Sequence, residues 1–224
     1  MTLRFALPIL IATLVLAAVS LAFGVAEPAP RAVLAAFTSF DADLMEHQII
    51  RELRVPRALA AILGGASLGL AGALMQTMTR NPLADPGILG INAGAAFGVV
   101  TGIWALRLTA PGALVVPALT GAASAALLVL VLGGGTRRSG PDPIRMVLAG
   151  AALSALFLSL TWALLILSRQ SLDIYRYWVL GGLDQISPQS LYATLPLFAA
   201  GLGIGALASF LLHPLALGDD TARA

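Results

Sequence analysis

The sequence predicts an all-α protein, a polytopic transmembrane helical bundle, and three observations predict it. Of 224 residues, 58% are hydrophobic and only 11% charged, where soluble domains run near a quarter charged and just under half apolar. The mean hydropathy is +0.92. Charge is absent from six long stretches, residues 5–26, 58–79, 86–106, 108–136, 146–168 and 185–212, each about as long as a bilayer-spanning helix requires, or longer. In hydrocarbon every backbone N–H and C=O must be bonded internally, which leaves helices or a closed barrel. Barrel strands would read as roughly ten-residue alternating segments, and these uninterrupted apolar runs do not. Six spans follow, and a soluble globular enzyme is excluded.

The first stretch, preceded by Arg4 and ending in Gly24-Val25-Ala26, shares features with a signal peptide. It is longer than the usual h-region and five further spans follow it, so it is read as the first helix. The longest polar connection comes next, residues 27–57. Within it Val33, Leu34, Phe37, Leu44 and Met45 fall at helical spacing beside Asp41, Asp43, Glu46 and His47. A helix lying on the membrane surface fits that pattern, and so does an ordinary solvated loop helix. Pro56 lacks an N–H and biases Val55 away from the helical region, which marks the start of the second span.

Spans two and three are joined by residues 79–87, where Pro82 and Pro86 stand four apart, with Asn81 before one and Gly87 after the other. That chemistry fixes a rigid turn. It serves either as a tight hairpin or as a rigid loop at the mouth of a path. Residues 133–143, with Arg137 and Arg138, form a flexible turn between spans four and five. Gly90, Gly94, Gly98 and Gly102 recur every four residues in the third span, Gly65 and Gly69 do so in the second, and Gly201 and Gly205 in the sixth. Small faces of this kind let helices approach closely, so Gly65, Gly69, Gly90, Gly94 and Gly98 are assigned to helix packing. The same stripes would also permit helices to slide between states.

Composition excludes further classes. All 13 basic residues are Arg, and without Lys the chain carries no Walker-type phosphate loop. The net charge of +2 is small and the Arg are scattered, so no nucleic acid is expected as a partner. There is no Cys, and the only histidines are His47 and His213, so no metal site and no cofactor is expected. No Ser–His pairing emerges from the spacing, which argues against a catalytic role. Proton-coupled carriers usually keep ionisable residues within their spans, and none stands mid-span here. Backbone-coordinated Na+ stays open, but the energy for any transport is expected from a partner. Arg counts on the two sides, six against seven, give no orientation by the positive-inside rule.

One charged motif is Arg51-Glu52-Leu53-Arg54-Val55-Pro56-Arg57. Three Arg at a helix N-terminus are poorly placed, because the dipole there favours anions. Two readings fit: a partner that brings carboxylates, or anchoring to lipid phosphate.

From Arg54 to Gly98, and above all over residues 76–94 (QTMTRNPLADPGILGINAG), the chain resembles the permease family of ABC importers for iron-siderophores, haem and vitamin B12. Residues 145–150 (RMVLAG) are similar to the opening of that family's fifth helix, 178–183 (WVLGGL) to its short outer helix, and 215–223 (LALGDDTAR) to its inner coupling segment. The resemblance implies a multi-pass protein of the bacterial inner membrane, surrounded by lipid. It implies two ATP-binding subunits, a periplasmic or lipid-anchored substrate-binding protein, and a second permease copy or homologue as partners. By the same resemblance Arg54 and Arg57 face outward and dock on carboxylates of the binding protein, which would account for the silent orientation rule. Asn81, Pro82 and Leu83 would form an inner gate loop, and Leu217, Gly218 and Asp219 would receive the ATPase. Tyr175, Arg176, Tyr177 and Trp178 would lie near the outer mouth.

The family normally has ten spans and this chain has six, with His213-Pro214 where the family runs a smoother polar link. The chain is thus expected to be one permease domain over 1–224, incomplete, with an outer connection at 27–57 and the start of the cytoplasmic coupling segment at 213–224. A fragment, a split gene and a truncated product all fit. So does a different class, a non-transporting bundle that serves as a structural or assembly partner.

Overall fold

A computed structural model of the chain describes residues 3–23, 30–79, 81–82, 84–135, 142–183 and 186–216. The expected coupling residues Leu217, Gly218 and Asp219 lie outside them, as does Leu83 of the expected gate loop. All regular structure among the described residues is helical. Helix α1 is Leu3–Ala22, α2 is Pro30–Thr38 and α3 is Met45–Gln48. A π-helical turn, Ile49–Arg54, carries α3 directly into α4, Val55–Thr79. Then come α5 (Ile91–Leu106), α6 (Val115–Leu132), α7 (Pro143–Leu167), α8 (Arg169–Leu180) and α9 (Pro188–Ala216). Prolines open α2, α7 and α9, where the missing N–H has no intrahelical partner to lose.

Among the described residues, five helical segments are long and apolar enough to cross a bilayer: Arg4–Ala22, Met45–Thr79, Pro111–Leu132, Pro143–Leu167 and Pro188–Leu212. The remaining expected span, the third in order along the chain, is shorter than its stretch of sequence. Residues Pro86–Leu89 form a 3-10 turn, Gly90 adopts φ 73°, and only the 16 residues of α5 are left as regular α-helix. At 1.5 Å per residue that is about 24 Å, against a hydrocarbon core of about 30 Å. Seven of those 16 residues are buried, so α5 is sheathed largely by protein and need not match the lipid thickness itself.

Pro56 does not start a helix either, because the helix passes through it. A proline ring clashes with the carbonyl four residues back. The turn before it is widened to five-residue spacing, and Val55 N–H donates to the Ile50 carbonyl. The helical run expected through residues 33–45 is broken at 39–44, where Asp41 Oδ1 accepts from Asp43 N–H at 2.9 Å and Leu44 N–H donates to the Asp41 carbonyl.

The chain falls into two compact units, 1–69 with 183–204, and 70–182 with 205–224; α4 and α9 run through both. In the first unit α1 meets α2 and the π turn, and Ala36, Ile50 and Ala60 are buried. In the second, α5 packs most extensively on α6 and then α7. Its core joins Met75, Leu89, Ala93, Ala125, Val129, Met146, Leu153 and Phe157. A neighbouring cluster of Val99, Ile103 and Leu114 receives Ile174, Tyr175 and Trp178 of α8. Outside these cores large apolar side chains remain exposed, Ile166 at 80% and Phe210 at 80% among them, which suits contact with lipid.

Candidate functional site

The arginine motif lies in the first unit and is built by the π turn. Residues three apart on an α-helix share a face, so spacing alone presents Arg54 and Arg57 together. The structure parts them. Arg54 is only 8% exposed, and its guanidinium donates to the Leu21 carbonyl at 2.8 Å. Arg57 is exposed, and its Nε donates to the Leu183 carbonyl at 3.4 Å. Arg51 lies over the Phe40 ring, 4.5 Å from its centroid, within cation–π range. The same ring stacks on His47, centroids 6.1 Å apart. His47 is buried, and its Nδ1 accepts from Asp41 N–H at 3.0 Å. No sequence pattern signals that burial; it follows from the loop at 39–44 folding back over the first turn of α3.

The rigid turn lies in the second unit. Asn81 N–H reaches back to the Gln76 carbonyl at 3.2 Å, and Ala84 N–H donates to the Asn81 carbonyl at 3.1 Å. Asn81 and Pro82 are exposed. Asp85 Oδ1 accepts from Gly87 N–H at 2.7 Å, which caps the 3-10 turn that Pro86 opens. The turn ends at Gly90, whose positive φ disfavours any side chain and which sits against the Gly150 carbonyl and Ser154 of α7.

The other glycines differ by position. A methyl group on Gly94 would stand 2.4 Å from the Ala125 Cβ, and one on Gly98 would stand 2.2 Å from the Pro117 carbonyl oxygen. On α4, no described residue comes within 4 Å of where a methyl group on Gly65 or Gly69 would stand. Phe97 of α5 stacks on Phe157 of α7 at 5.5 Å. Gly90 lies beside Gly150 and Ser154, so the two helices run in the same direction. One turn beyond the stacked rings each carries a threonine, Thr101 and Thr161, whose Oγ1 is buried without a hydrogen-bond partner. Spacing gave no hint of this pair, because each threonine reads as one more small residue within an apolar run.

Helix α8 is amphipathic. Tyr175 and Trp178 stack at 6.1 Å on its inner side, while Arg176 and Tyr177 are exposed. Burial pushes the Tyr175 phenol above its ordinary value near 10. Among the described residues no three His, Asp or Glu side chains come together as a metal site.

A family model described as the FecCD transport family matches residues 10–224. The chain is similar to "Probable siderophore transport system permease protein YfiZ" of Bacillus subtilis (strain 168), 43% identical over 204 residues, covering 91% of this chain and 61% of that protein. It is also similar to the ferric enterobactin transport system permease protein FepD of Escherichia coli (strain K12). That match is 40% identical over 227 residues and covers 100% of this chain and 66% of that protein. A vitamin B12 import system permease protein, BtuC of Klebsiella pneumoniae, is 37% identical over 176 residues, covering 78% and 52% respectively. The chain thus spans less than two thirds of the length of these relatives. Its fold matches a solved structure titled "An inward-facing conformation of a putative metal-chelate type ABC transporter", with TM-score 0.78 and 24% identity, over 98% of this chain and 67% of that one.

Proposed function

The chain belongs to the FecCD transport family, and from that premise we propose that it is the membrane-spanning permease subunit of an ATP-binding-cassette importer. It sits as a multi-pass protein in the bacterial inner membrane. Its cargo is an iron chelate, either a siderophore complex or haem, or else vitamin B12. The observation that carries the reading is the match to one transport family along residues 10–224, in a chain whose helices are long and apolar enough to span. The chain has no Lys and so no phosphate-binding loop of its own. ATP is therefore hydrolysed by partner subunits, two per assembly, and their work switches the helices between outward-facing and inward-facing states.

The sites divide the labour. The element around Arg54 and Arg57 docks a substrate-binding protein through carboxylates on that partner, which the exposure of Arg57 supports. Asn81, Pro82 and Leu83 form the inner gate loop. The pinned turn that Asp85 and Pro86 make behind it supports this, since a gate must be carried on a rigid base. Leu217, Gly218 and Asp219 begin the surface that receives the ATPase, with residues 213–224 as the start of that coupling segment. The open faces at Gly65 and Gly69 suit a second permease copy or homologue, where small residues let helices from two chains approach.

Isolation of the tagged chain from its native membrane tests the assembly. It should bring an ATP-binding subunit with a P-loop sequence in equal amount, identified by mass spectrometry. A chain that comes away from intact membranes with no such subunit contradicts the proposal.

A further inference from the structure

The two arginines of the docking motif do different jobs. Helix α1 ends with no basic residue of its own in the last turn, although the last four carbonyls of a helix lack intrahelical donors and carry partial negative charge. One of those four belongs to Leu21, and Arg54, 33 residues further along the chain, donates to it at 2.8 Å. The guanidinium that does so is almost wholly buried, and a buried cation persists only where it is hydrogen-bonded and electrostatically compensated. The carbonyl end of α1 contributes an acceptor and partial negative charge.

Among the described residues, helix α1 has few other contacts to hold it. None of its spanning residues is buried within this chain, and α2 and the π turn are the elements it chiefly meets. Arg54 is the last residue of that π turn. Arg57 stands three residues on, within α4, and is exposed.

We infer that Arg54 is a positioning residue, which caps the C-terminus of α1 and ties that helix to the start of α4, while Arg57 presents the motif's charge to a docked partner. This division rests on the docking reading above. It deepens that reading by assigning the contact with partner carboxylates to one arginine of the two.

Hydrogen–deuterium exchange on the full chain in lipid nanodiscs tests the cap. Arg54→Gln should raise exchange in the last turn of α1, residues 18–23, on the order of tenfold, as loss of a partly buried charge at a helix end implies. Arg54→Lys, which keeps a donor and a charge, should restore most of the protection, and Arg57→Gln should leave it unchanged. Equal exchange in wild type and Arg54→Gln, or equal loss in Arg57→Gln, overturns the inference. A second readout needs no variant: phenylglyoxal on the wild-type chain should modify Arg57 and spare Arg54, and modification of both at one rate also overturns it. Neither readout involves a partner. A chain that bound no substrate-binding protein would therefore sink the docking reading and leave the cap standing, whereas a failed cap would leave docking to be judged by binding.

Discussion

At the scale of single residues, the most informative groups are polar ones in apolar surroundings. Thr161 is 1% exposed, and its hydroxyl has no hydrogen-bond partner. Leaving a buried hydroxyl unsatisfied costs about 1–3 kcal/mol, and valine fills nearly the same volume. Thr161→Val should therefore stabilise the chain by about 1 kcal/mol in thermal or denaturant unfolding in micelles; a loss of stability would mean that the hydroxyl is bonded. Tyr175 gives a pH prediction with a definite sign. Burial raises its pKa in the folded state above the ordinary value, so the folded chain holds that proton more tightly than the unfolded one. Its contribution is full below pH ~10 and is lost as pH rises through the folded value. Alkaline unfolding should lose that component in Tyr175→Phe, and an unchanged alkaline limb would show that the phenol is not desolvated. Single residues were the least legible part of the sequence. Arg54 and Arg57 read as a matched pair, and their different burial emerges only in the structure. Leu83, Leu217, Gly218 and Asp219 are assigned by family resemblance alone.

At the scale of elements, composition made the helices legible, because uncharged runs of this length have few other fates in a membrane. Their ends were less so. The third stretch loses its first residues to the 3-10 turn at Pro86–Leu89 and the left-handed Gly90, and α4 extends back through Pro56 to join α3. Local propensity gives a proline the right to stop a helix, but a widened turn removes the clash. Glycine spacing had the same limit. A four-residue repeat identifies a smooth face without saying what lies against it. Gly98 meets Pro117 at contact distance, while Gly65 has none of the described residues near it. Gly98→Ala should destabilise the isolated chain by about 1–3 kcal/mol through overpacking. Gly65→Ala should stabilise it by about 0.5–1 kcal/mol through helix propensity and should weaken association with a second permease chain. Thermal unfolding and a dimerisation assay read the two effects. Equal destabilisation by both substitutions would place another part of this chain against α4.

At the scale of the whole molecule, the family was legible because its signal is spread along the chain: the rigid turn after α4, the opening of α7, the short α8 and the segment after α9. The cargo was not, because the spans are lined by apolar and small side chains that name no ligand chemistry. Docking belongs to this scale as well. Arg57→Glu should weaken binding of the substrate-binding protein and reduce its salt dependence, with recovery when the partner's facing carboxylate becomes Arg; unchanged binding leaves Arg57 as a lipid anchor. The central claim, a permease worked by separate ATPases, is tested most directly by uptake. Inner-membrane vesicles that contain the chain with its ATP-binding and substrate-binding partners are given radiolabelled ferric chelate or cobalamin, with ATP or a proton gradient supplied separately. The account predicts accumulation with ATP and none with the gradient alone. Uptake that runs on the proton gradient without ATP would contradict it.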